Sequence, residues 1–177
     1  MEERKVEPWL RGTRTDVDAV RRAVIHALEL AAEDIARWCE GLSDAEFAMR
    51  PFGLPSVGFQ LRHIARSLDR LLTYTEGQQL SERQLEALKS ETGDGAGREA
   101  TLMEFAEGIE MAVTRVLKIA PGTYEETREV GRKKLQATVG GLLVHSADHT
   151  QRHVGQAVTT AKVVMEMRPK VDVIPLI

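Results

Sequence analysis

Two histidines four residues apart, His149 and His153, sit in the last long amphipathic segment of the chain. On a helix that spacing puts both rings on one face, about 6 Å apart along the axis, close enough to ligate one metal ion. Neutral imidazole binds zinc, nickel, iron or manganese at roughly 2 Å, and three such ligands with an open position describe a catalytic rather than a structural centre. A third histidine is therefore needed. Of the five in the sequence, His63 is the leading candidate, since it falls on a different long helix, on the flank of that helix's apolar stripe near Ser67 and Tyr74. His26, beside the first apolar stripe, reads as surface or packing. His145 precedes His149 by one turn, but three successive turns of a straight helix do not easily converge on one ion, so it either supports the ligands or faces solvent.

An isolated HxxxH pair is a weak signal, because two packed or solvated histidines are the commoner explanation. What strengthens it is the seam on which the pair lies. Steps of four and three pick out Leu142, Ser146, His149, His153, Gln156 and Thr160, the spacing that normally faces a core, yet five of these six residues are polar. Val139, Leu143 and Ala157 flank the same line, so the polar groups must find partners in apolar surroundings, and a built interior site is the natural reason. Gln156 is placed to hydrogen-bond a ligand or to pack the helix, while Asp148 points away from the seam. Cys39, after Trp38 at the end of the first stripe, reads as packing rather than as a nucleophile.

Competing chemistries lack their residues. The runs His145-Ser-Ala-Asp-His149 and His149-Thr-Gln-Arg-His153 lack the glutamate of HExxH, and no ExxH occurs, which disfavours a zinc protease and a di-iron bundle. There is no GxxxxGK[ST], GxGxxG or CxxCH pattern. A net charge of −3, from 24 basic and 27 acidic residues spread along the chain, offers no field for gripping nucleic acid. A single cysteine permits no internal disulfide and fits a reducing, cytoplasmic setting. The charged opening MEERKVEPWLRG has no apolar leader region, and no apolar run approaches a membrane span.

The elements that must position the histidines are helices. Apolar residues at Val17, Val20, Val24, Leu28, Ala31, Ile35, Trp38 and Leu42 mark a first helix, with Thr15 as its expected cap. Ser43 with Glu46, and Ser81 with Gln84, read as capping boxes opening two short helices. Between them a shaped loop at 51–59 leads into a second long helix from about Val57 to Gly77. Residues 89–98 read as loop. A third helix from about Glu99 to Ala120 is stopped by Pro121-Gly122, and a fourth is expected from Leu135 to Met165 after a charged stretch. With almost no period-two alternation, the pattern predicts one all-α domain over 1–177: a four-helix bundle with short extra helices in its connections, an arm at 1–14 and a tail at 166–177.

The stretch PxGxPSVGFxLRHIARSLDRLLTY around His63, together with LLVHSADHTQRHVGQ later, resembles the DinB-like superfamily, and the likeness spans most of the chain. Its most specific element is HxxxHxGQ, His149 to Gln156, combined with a helix-borne histidine about ninety residues upstream. The resemblance implies a four-helix bundle in which His63, His149 and His153 hold zinc, nickel or a similar divalent ion, manganese and iron being further candidates, with water in the open position and often a homodimer. Some relatives use the metal to activate a low-molecular-weight thiol for transfer or isomerisation. A metal-dependent transferase or hydrolase acting on a small molecule is thus the leading expectation. A metal-binding or small-molecule-binding stress-response protein without turnover is the alternative, and purely structural histidines the third reading.

Overall fold

A computed structural model describes residues 6–93 and 97–169 of the chain. The first long helix, α1 (Ala19–Cys39), begins one turn later than Thr15 suggested. Asp18 caps it, accepting from the backbone N–H groups of Val20 and Arg21, and also receives the Tyr124 hydroxyl at 2.5 Å. Burial works to raise the Asp18 pKa, but the bonds from Tyr124 and Arg21 outweigh it and hold it at about 2. The carboxylate preferred at a helix N-terminus thus also fastens a distant loop.

Both capping boxes are formed: Ser43 and Glu46 open α2 (Asp44–Ala48), and Ser81 and Gln84 open α4 (Glu82–Lys89). Between these, Ser56 caps α3 (Val57–Thr75), and after the 90–97 connection α5 (Arg98–Lys118) starts at Gly97, which supplies no side-chain cap. The charged stretch that followed was expected to run into the fourth helix at Leu135. It forms instead a short antiparallel hairpin, β1 (Thr127–Val130) with β2 (Leu135–Thr138), in the register Thr127↔Thr138 and Val130↔Leu135. Gly131, at φ 69°, supplies the left-handed backbone of its turn, and Lys134 adopts φ 50°. The last helix, α6 (Val139–Glu166), therefore starts at Val139, where the Thr138 hydroxyl accepts from Gly141 N–H and ends the strand by capping the helix.

In the bundle, α6 packs along both α1 and α3, α3 also packs along α5, and a lighter α1–α5 contact closes the ring. The stripes meet in one core, where Ile25, Leu28, Leu61, Ile64, Leu68, Leu72 and Leu143 are buried. Each such side chain contributes about 1.5–3 kcal/mol through removal from water. The α3–α5 seam is close because Gly108 faces Ala65: a Cβ at Gly108 would lie 2.8 Å from the Ala65 Cβ and 3.0 Å from its Cα. The arm is tied to α1 by Arg11, whose guanidinium donates to both Glu33 oxygens at 2.6 and 2.7 Å. Residues 1–5 of the expected arm and 170–177 of the expected tail lie outside the described residues.

Candidate metal centre

The α3–α6 seam carries the predicted histidines, and the fold brings all three together. One ring nitrogen from each of His63, His149 and His153 lies within 4.8 Å of the other two. The ring centroids are 4.3 to 5.0 Å apart, and His63 Nε2 stands 3.3 Å from His149 Nε2. On α3, Phe59 stacks on the His63 ring one turn earlier, at 5.7 Å and 15° between planes. The rings are half-buried, at the boundary between core and solvent.

What decides the chemistry is the partner of each Nδ1. His63 Nδ1 is 2.8 Å from a Glu91 oxygen, and His153 Nδ1 is 2.6 Å from Gln60 Oε1. His149 Nδ1 has a longer contact, 3.4 Å, with Ser67 Oγ. A carboxylate and an amide oxygen only accept, and the Ser67 hydroxyl is already spent on the Ile64 carbonyl, leaving its lone pairs. Each Nδ1 therefore carries the proton and donates outward. Each Nε2 is left with a bare lone pair, the tautomer a ligating imidazole requires.

Electrostatics favour the neutral form of the two α6 rings. Burial, joined by the neighbouring histidines, pushes His149 down to about 4, and burial with the charges of His63 and Arg152 does the same to His153. Glu91 is 3% exposed. Burial works to raise its pKa, but the bond from His63 and the charge of Arg70, 3.2 Å from its second oxygen, leave it below the ordinary carboxylate value. A fixed negative charge thus stands behind His63. Gln60 is fully buried, and its amide nitrogen donates to Gln156 Oε1 at 3.0 Å, which orients its oxygen toward His153.

A proton can bridge two facing acceptors but not three. The cluster could hold a metal ion, and a tetrahedral ion with arms of about 2.0–2.1 Å sets ligand nitrogens about 3.3 Å apart, close to the spacing of the His63 and His149 Nε2 atoms. Imidazole suits zinc, copper, iron and nickel alike.

The other residues singled out in the sequence take smaller parts. His145 is exposed, with its ring 5.5 Å from that of His149. His26 lies elsewhere, in contact with the Thr13 hydroxyl at 3.2 Å. Asp148 faces outward and pairs with Arg152. Gln156 is exposed, accepts from the Gln60 amide and also interacts with the His153 ring. Cys39 is buried, and burial pushes its thiol up to about 12, which removes it as a nucleophile. Ser146 and Thr160 of the polar seam are satisfied by the Leu142 and Pro55 carbonyls, so the site occupies only the middle of that seam. Gln60, Glu91 and Arg70 were not anticipated. Glu91 sits in the connection after α4, where no periodicity assigns a direction to a side chain.

A helical bundle with a three-histidine cluster able to hold a metal ion is the class of protein these features define. The sequence model of the DinB superfamily matches residues 27–157, a span containing the three histidines and their Nδ1 partners, and the chain belongs to that superfamily. Among curated proteins, no sequence matches it. Among the described residues no helix is long and apolar enough to cross a membrane.

Proposed function

We propose that the protein is a metal-dependent enzyme in which His63, His149 and His153 hold one divalent ion, zinc or nickel, through Nε2, leaving a position for water or a small thiol. The observation that carries this reading is the set of three Nδ1–H groups turned outward onto acceptors, which leaves three Nε2 lone pairs facing one another. A divalent ion supplies Lewis acidity, lowering the pKa of a coordinated water or thiol toward neutrality. The chain's own part is to fix the rings: Glu91 and Arg70 orient His63, Gln60 orients His153 and Ser67 orients His149. His145, exposed beside His149, is a further imidazole at the edge of the cluster. The reaction is thiol transfer or hydrolysis on a small molecule, by a homodimer whose state sedimentation equilibrium would test.

One observation favours the second reading, a metal-binding protein without turnover. Cavities of about 610 and 750 Å³ lie between α1 and α6 and along α3, α4 and α5, and no histidine lines either. The deciding experiment is elemental mass spectrometry on untagged protein, wild type beside His63→Ala, His149→Ala and His153→Ala. Near-stoichiometric metal lost from each folded variant supports the triad. Turnover in a subsequent screen of thiols and hydrolysable substrates then separates enzyme from binding protein. A metal-free wild type that cannot be reconstituted sinks both readings.

A further inference from the structure

The groups behind His63 and His153 differ in one respect. Glu91 offers His63 an oxygen from either end of its carboxylate, so turning it over changes nothing. Gln60 carries an oxygen at one end of its amide and an NH2 group at the other, in nearly the same shape, and it is 0% exposed. With its oxygen on His153 Nδ1, at 2.6 Å, Gln60 accepts the ring proton and leaves Nε2 bare. Turned over, the same amide would donate to Nδ1 instead. The ring proton would then sit on Nε2, and that nitrogen would be lost to a metal ion.

Packing does not separate the two arrangements, because the volume filled is the same. The other end of the Gln60 amide does. Its Nε2 donates at 3.0 Å to Oε1 of Gln156, which stands on α6 one turn after His153 and also interacts with the His153 ring. The bonds form a relay from the ring to Gln60 to Gln156, and with both amides turned together it would run in the opposite sense with as many hydrogen bonds. Gln60 is enclosed, whereas Gln156 is exposed, so the sense of the relay is decided at its outer end. A side chain at position 156 that only accepts hydrogen bonds admits the sense that leaves Nε2 bare, and one that only donates admits the reverse.

We propose that Gln156 is a positioning residue for the metal centre: its hydrogen-bonding character, passed through Gln60, sets which nitrogen of His153 is free. This rests on the reading that the three histidines hold an ion. The test compares Gln156→Glu with Gln156→Lys, two substitutions by good helix formers at an exposed position, which leave the fold intact. Heteronuclear NMR of metal-free protein with labelled imidazole nitrogens, near neutral pH, reads the His153 tautomer, the ring being assigned from its absence in His153→Gln. Competition with a chromophoric chelator reads zinc affinity. The expected result is a proton on Nδ1 in wild type and Gln156→Glu and on Nε2 in Gln156→Lys, with zinc held at least about tenfold more weakly by Gln156→Lys than by Gln156→Glu. Thr159→Glu and Thr159→Lys, which place the same charges one turn further along the exposed side of α6, should differ by less than about threefold. An unchanged His153 tautomer across the Gln156 pair, or a Thr159 pair that reproduces the zinc difference, would overturn the proposal. A protein that binds no zinc while the His153 tautomer still follows the residue at position 156 would sink the metal reading and leave the relay standing.

Discussion

Replacing Glu91 by alanine removes a buried carboxylate that accepts from His63 Nδ1 at 2.8 Å and meets Arg70 at 3.2 Å. His63 then loses the acceptor that fixes its proton on Nδ1, and its ring is free to take the tautomer that cannot ligate. Loss of such a support behind a metal ligand costs 10–100-fold in affinity, about 1.4–2.7 kcal/mol. Because Glu91 is 3% exposed, solvent reaches the vacated place poorly, and the loss should fall in the upper half of that range. Glu91→Gln keeps an oxygen able to accept from Nδ1 but brings no charge, so its loss should stay under about tenfold. The assay is competition for zinc against a chromophoric chelator at fixed pH. Glu104→Ala, which removes the Arg66 partner instead, serves as the control. A folded Glu91→Ala protein holding zinc within twofold of wild type would refute the tautomer argument.

Two further outcomes follow from the folded structure. In the unfolded chain His149 and His153 take up protons as pH falls through about 6.5, whereas in the folded protein they resist until about 4. The unfolded state therefore binds more protons across that window, and metal-free protein should lose about 2–3 kcal/mol between pH 6.5 and 4, after allowance for solvent screening of the half-buried rings. Urea midpoints at pH 7 and 4.5 check this, and an equal loss in the His149→Gln/His153→Gln double variant would remove the histidines as the cause. Separately, Gly108→Ala should destabilise by about 1–3 kcal/mol despite alanine's better helix propensity, because its methyl meets Ala65 backbone that cannot yield. Restoration of the urea midpoint by adding Ala65→Gly is the expected companion result, and a Gly108→Ala protein as stable as wild type would show that α3 and α5 separate at little cost.

The long helices were legible because their burial repeats every three or four residues, and both capping boxes formed where Ser43 with Glu46 and Ser81 with Gln84 announced them. His63, His149 and His153 were legible for the same reason: helical phase fixes which residues share a face. The hairpin was not, since each strand has four residues, Thr127–Val130 and Leu135–Thr138, too few for alternation to stand out within a charged stretch. The start of α1 was misplaced because Thr15 and Asp18 are both acceptable caps, and only the tertiary bond from Tyr124 distinguishes Asp18. Glu91 was invisible for a third reason. A connection has no phase, and its partner is 28 residues away.

That placement of Glu91 divides the centre between two kinds of material. The candidate ligands are rooted in α3 and α6, where a substitution is felt throughout the core, but the carboxylate that meets His63 Nδ1 hangs from the stretch of chain between α4 and α5. Changes of sequence or length in that connection can alter the tuning of the first ligand while leaving the bundle's stability almost untouched. The setting of the His63 ring and the stability of the bundle can then vary separately among chains sharing this bundle and these histidines, through a few residues of one connection.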